Sequence, residues 1–166
     1  MTIETVVFAD DGDIPNSPLP LVVYRGAIDP ATRDREGAFE ALFHDNGWRW
    51  SWRNGIFPFH HYHANAHEVL GIAGGPAEVR FGGPKGGTFT VETGDAVLIP
   101  AGVGHCRLSA GAGLSVIGAY CEPVSVDLWR EGAEPKAAIR ARIAELPVPA
   151  ADPVQGTDGA MFQAWR

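Results

Sequence analysis

The sequence predicts an all-β fold. Three observations predict it: short apolar runs with a period of two, turn residues between them, and 21 glycines and 13 prolines spread along the chain rather than pooled in one linker. Repeated short strands of this kind build a β-sandwich or barrel. At 166 residues, 45% of them hydrophobic, the chain fits a single domain over 1–166 with a packed core.

Taken in order, Thr5, Val6, Val7 and Phe8 form a first short strand, broken by Asp10 to Asp13 and by Pro15 to Pro18. Residues 19–24 are a second extended segment, whose prolines suit an edge or a strand entry. Asp29 and Pro30 are a cap and a first helical residue, and Phe39, Leu42 and Phe43 follow at helical spacing until Asn46-Gly47 stops the helix. The period then returns to two, with Trp48, Trp50 and Trp52 on one face and Arg49, Ser51 and Arg53 on the other. Further strands are expected at 57–63, 68–73, 77–81, 88–91, 96–99, 105–108 and 114–120. Residues 136–146 read as a C-terminal helix with Ala138, Ile139, Ile143 and Leu146 on its apolar face. Residues 1–47 form an N-terminal extension to the strand-rich centre, and 134–166 a C-terminal helix and tail.

Composition excludes several function classes. The formal charge is −7 and the pI about 5.3, which argues against a nucleic-acid partner. Arg140 and Arg142 on the last helix sit among Glu131, Glu134 and Glu145, the pattern of a solvated face. No apolar run approaches the ~20 residues of a membrane span. The N-terminus, Met1-Thr2-Ile3-Glu4, lacks the basic and apolar regions of a secretory signal. Two cysteines, Cys106 and Cys121, do not make a disulfide scaffold, and a cytoplasmic location is the expectation.

The chemistry concentrates in one segment. Four of the six histidines lie between His60 and His67, in the run His60-His61-Tyr62-His63-Ala64-Asn65-Ala66-His67-Glu68. On a strand, His61 and His63 share a face, with His60 and Tyr62 opposite. A turn at Ala64 to Ala66 brings Glu68 back on a neighbouring strand, and His105, after the turn at Pro100-Ala101-Gly102, can supply a fourth group. Neutral imidazoles and a carboxylate are good ligands for divalent first-row metals.

These residues resemble the two motifs of the cupin superfamily. In the first, Gly55 is followed after five residues by His61-Tyr62-His63, after four more by Glu68, and after six more by Gly75. In the second, Gly94 is followed after five residues by Pro100-Ala101-Gly102 and after two more by His105. Ser109 stands where the family usually has an asparagine, which is not a metal ligand there. The two motifs span about a third of the chain. The order of elements and the Trp-rich approach also resemble a small bacterial single-domain cupin group of unsettled function.

The resemblance implies a cupin jelly-roll β-barrel with one helix before it and one after it. It implies that His61, His63, Glu68 and His105 hold one divalent metal ion per chain, whether Fe, Mn, Ni, Co or Zn. About two coordination positions of an octahedral ion then stay open. His67, one residue before Glu68, sits at a spacing that the motif also permits; the interval to Gly75 favours Glu68 as ligand, leaving His67 as the nearby candidate for a general base. A small-molecule substrate or ligand and a homodimer are expected by analogy. Oxygenase-like chemistry with Fe(II) is the first expectation, ahead of isomerase or lyase chemistry and of a non-catalytic binding role. The tryptophans are read as packing between sheet and helix or in an interface, with a substrate pocket as the alternative. Cys106 is expected to face away from the metal, His44 to be a surface or capping residue, and Tyr120 to reach a barrel mouth if its strand faces inward.

Overall fold

A computed structural model describes every residue except Glu134 and Lys136. Its first two strands, β1 (Thr2–Phe8) and β2 (Ser17–Arg25), precede helix α1 (Arg35–Asp45). Nine strands follow: β3 (Trp50–Asn54), β4 (His61–Tyr62), β5 (Glu68–Gly74), β6 (Ala77–Phe81), β7 (Gly87–Val91), β8 (Ala96–Ile99), β9 (His105–Ala110), β10 (Ser115–Tyr120) and β11 (Trp129–Arg130). Helices α2 (Ala137–Glu145) and α3 (Ala160–Ala164) end the chain.

The strands form two antiparallel sheets, six-stranded in the order β1-β2-β8-β5-β10-β3 and five-stranded in the order β11-β4-β9-β6-β7. Two packed antiparallel sheets agree with the all-β expectation, and they correct the helix placement expected above. Helix α1 does not precede the sheets, because β1 and β2 are already built into the larger one, where Val22, Val23 and Tyr24 pair with β8. β1 and β2 are therefore strands of that sheet, joined by a loop over 9–16.

Strand alternation divides the core into layers. On β2, Leu21 and Val23 face the space between the sheets, with Leu70 and Ile72 of β5 and Val79 and Phe81 of β6. Val22 and Tyr24 face the other way, into a cluster with Phe39 and Phe43 of α1 and Met161 and Trp165 of the C-terminal tail. Gly71 makes that second layer possible, since a Cβ there would meet the Phe39 ring at 2.5 Å. A third cluster joins Tyr62 and Ala101 to Ile139 and Ile143 of α2.

Local chemistry shifted several boundaries. Asp29 does not cap the helix; its carboxylate accepts from the Ala31 N–H at 2.8 Å and its carbonyl from Thr32, closing a turn. The cap is Asp34, which accepts from the Gly37 N–H at 2.9 Å. The strand expected over 57–63 shrinks to His61–Tyr62, because the chain bends at Pro58 and Phe59. The single aromatic face also divides. Trp48 is buried beneath α1, Trp50 is exposed, and Trp52 turns into the cavity described below. The start of the last expected helix, at Lys136, lies outside the described residues; Ile139 and Ile143 are its buried positions, as expected. Neither β11 nor α3 was expected. Among the described residues, no helix is long and apolar enough to cross a membrane, and both cysteines are free.

Candidate metal centre

The site lies between the two sheets at one end. The five-stranded sheet brings His61 and His105 directly opposite each other on β4 and β9, with ring centroids 3.9 Å apart. His63 follows β4 and keeps to the same side, its ring 5.8 Å from His61 and 5.6 Å from His105. One ring nitrogen from each of the three lies within 4.8 Å of the others. Glu68 arrives from the larger sheet at the start of β5. Its Oε2 is 3.6 Å from His63 Nε2 and its Oε1 is 3.4 Å from His105 Nε2. His61, Glu68 and His105 are buried, and His63, 11% exposed at its side chain, is the most open of the four.

The backbone sets which nitrogen each imidazole presents. His61 Nδ1 is 2.9 Å from the Phe59 carbonyl, His63 Nδ1 is 2.5 Å from the Asp127 carbonyl, and His105 Nδ1 is 3.2 Å from the Val103 carbonyl. A carbonyl oxygen only accepts, so each Nδ1 carries a proton and each Nε2 is the ring nitrogen left for the cluster. Three such nitrogens near one buried carboxylate are a donor set that suits a divalent cation, and the carbonyls supply the outer hydrogen bonds that orient metal-binding imidazoles. Burial, reinforced by His105, pushes His61 down to about 3, so that ring is neutral at ordinary pH. Burial alone would raise Glu68; His63 and His105 beside it, helped by the Tyr120 hydroxyl, hold its carboxyl down at about 2.

Supporting residues complete the arrangement. Tyr120 on β10 donates a very short hydrogen bond to Glu68 Oε2, and its hydroxyl accepts from Trp52 Nε1 at 3.2 Å. Burial, and then the Glu68 charge, pushes the Tyr120 phenol far above its usual range. Gly118 lets Trp52 lie flat here, since a Cβ would meet the indole at 2.0 Å. On the other side, Asp127 is fastened by its own carboxylate to the Ala64 N–H at 2.7 Å and by its N–H to Asn65 at 3.0 Å. Asn65 also donates to the Ser125 carbonyl, so this loop holds His63 from outside. Gly102, at φ +90°, donates to the His63 carbonyl at 2.7 Å and ties the second motif to the first.

The cluster opens into a cavity of about 790 Å³ lined by Trp52, Ile56, Phe57, Leu70, Leu114 and Tyr120, with Arg53 and Arg107 among its polar groups. That volume suits a small organic ligand. His67 does not line it. His67 points to the opposite side, where its Nδ1 accepts from the Ala101 N–H at 2.9 Å and its ring packs on Trp165 at 4.8 Å. Tyr62 is buried toward α2, Cys106 sits on the alternate face of β9 from His105, and His44 is exposed. Sequence reasoning missed Asn65, Asp127 and Arg107. Only Arg107 had a signal, its place two residues after His105 on one strand face.

Residues 52–120 match the profile of a family described as Cupin. Over 163 residues the chain is 39% identical to "Uncharacterized protein YjlB" of Bacillus subtilis (strain 168), covering 98% of this chain and 96% of that one. The chain belongs to the cupin family. Among solved structures, this cupin resembles salicylate 1,2-dioxygenase of Pseudoaminobacter salicylatoxidans at 15% identity and a TM-score of 0.38, over 78% of this chain and 29% of that one. It resembles Bacillus subtilis oxalate decarboxylase at 14% identity and a TM-score of 0.37, over 73% and 30%. The chain thus spans less than a third of either enzyme. A DUF861 family protein of Thermotoga maritima matches at 19% identity and a TM-score of 0.33, over 54% and 92%.

Proposed function

We propose that this cupin is a divalent-metal-dependent enzyme acting on a small organic molecule, with oxygenase-like chemistry as the leading reaction type. His61, His63, Glu68 and His105 would hold the ion. One observation carries the reading: three Nδ1-to-carbonyl hydrogen bonds leave three Nε2 atoms to one cluster, with the buried Glu68 carboxylate beside two of them, in the lining of a ligand-sized cavity. A divalent ion supplies Lewis acidity there, and a redox-active one supplies electrons.

The chain's own residues do the rest. Tyr120 fixes one oxygen of Glu68, and Asp127 fixes the His63 ring. The apolar wall of Trp52, Ile56, Leu70 and Leu114 excludes water from a bound substrate. Among the described residues, no carboxylate or imidazole outside the four lines the cavity, and the Tyr120 phenol is committed to Glu68. Isomerase or lyase chemistry, which needs a free acid or base, therefore has less to draw on than redox chemistry.

The test is metal content by elemental mass spectrometry on untagged protein purified anaerobically, with His63→Ala as control. About one iron per chain, lost in the variant, supports the reading and directs a substrate screen by oxygen uptake. One zinc, nickel or manganese keeps the site and moves the reading toward isomerase, lyase or binding roles. No metal after anaerobic reconstitution overturns the reading altogether.

A further inference from the structure

Two arginines reach the cavity, and their situations differ. Arg53 is engaged: its Nε and Nη2 donate to the two Glu40 carboxylate oxygens at 2.6 and 2.8 Å. Arg107 is not. Its Nε donates to the Ile56 carbonyl at 3.1 Å, which fixes the plane of the guanidinium. Among the described residues, its terminal nitrogens donate to no protein group. No described carboxylate lies within ion-pair distance of it either.

Register explains why it points inward. Arg107 pairs with Val79 and His105 with Phe81, and both partners are core residues between the sheets. Arg107 thus shares the inner face of β9 with His105, about 7 Å further along the strand. A half-buried guanidinium without a counter-charge is costly in an apolar wall unless an anion or water meets it. Its planar fork matches a carboxylate through two parallel hydrogen bonds. The wall around it, Trp52, Ile56, Phe57, Leu70 and Leu114, is apolar.

We infer that the cavity is built for an organic carboxylate with an apolar body. Arg107 grips the carboxylate by its free fork, the apolar wall takes the body, and the bound molecule lies alongside the His61, His63, His105 and Glu68 cluster. The inference rests on reading this cavity as the substrate site, and it names the substrate class and the residue that selects it.

The experiment compares charged and neutral probes of one shape. Benzoate and phenylacetate, with benzamide and phenylacetamide, are titrated into metal-free protein by NMR and calorimetry. The proteins are the unaltered chain, Arg107→Gln and Arg107→Lys, each checked by thermal melting. The carboxylates are expected to bind at least about tenfold more tightly than the amides, and to weaken as salt rises. Arg107→Gln is expected to abolish that preference without altering amide binding, and Arg107→Lys to restore part of it. A purely structural Arg107 would shift all four probes together. Equal binding of acids and amides, an unchanged preference in Arg107→Gln, or no carboxylate binding at all would overturn the inference. If Arg107→Gln does not fold, the acid-to-amide ratio and its salt dependence in the unaltered protein decide the matter with Arg107→Lys. Metal uptake, measured after reconstituting the same preparations, separates the two claims. Protein that takes up metal yet ignores carboxylates refutes the role of Arg107 alone; protein that selects carboxylates yet takes up no metal refutes the metal reading alone.

Discussion

Replacing Tyr120 by phenylalanine removes one oxygen and two hydrogen bonds. The bond to Glu68 ends on a buried carboxylate, and the bond from Trp52 Nε1 spans 3.2 Å. A hydrogen bond to a charged group contributes about 1.5–3 kcal/mol, and a neutral one about 0.5–1.5 kcal/mol. Trp52 is only partly buried, so water can replace its lost acceptor, and the lower end applies to that bond. The expected cost to the metal-free protein is about 2–4 kcal/mol. For a chain of this length that lowers Tm by roughly 5–15 °C. Urea and thermal unfolding of Tyr120→Phe, Glu68→Gln and the double variant form a cycle whose coupling should exceed about 1 kcal/mol. A Tyr120→Phe variant within about 0.5 kcal/mol of the parent, with no coupling to Glu68, would refute the claim that this phenol holds the carboxylate.

Two further predictions concern residues outside the cavity. Burial pushes His67 down to about 4. The unfolded chain therefore takes up a proton on this residue that the folded chain refuses between about pH 6.5 and 4. Stability should fall as pH falls through that window, by roughly 3 kcal/mol in all, and His67→Gln should flatten this component in urea denaturation of metal-free protein; an unchanged slope would refute it. Asp152 is fully buried, and its carboxylate accepts from Tyr24 Oη and from the N–H groups of Val154, Gln155 and Met161. Asp152→Ala should cost about 4 kcal/mol or more and raise hydrogen exchange at Met161, whereas intact protection there would show that the C-terminal segment is held by packing alone.

That His61, His63, Glu68 and His105 come together was legible because strand alternation put His61 and His63 on one face and the intervals resembled the two cupin motifs. The strands bearing them needed only approximate boundaries, so losing 57–60 and 63 from the expected strand left His61 and His63 on one side. Partners contributed by distant strands were not legible. Tyr120 faces the cavity because of the register of β10 with β5, which no single strand encodes, whereas Arg107 was signalled by its place two residues after His105 on β9. The helix start was misread because Asp29 and Asp34 carry the same capping chemistry, and only the path of the chain decides between a turn and a cap. His67 shows the same limit. Its spacing fits a ligand, but its neighbours, Ala101 and Trp165, come from far along the chain.

The most direct measurement of the central claim is anomalous diffraction from crystals grown with the metal that the protein retains. One peak per chain is expected, bonded at about 2.0–2.2 Å by Nε2 of His61, His63 and His105 and by one oxygen of Glu68, and absent in His63→Ala. A peak bound elsewhere, a peak that survives His63→Ala unchanged, or no peak after reconstitution would contradict it.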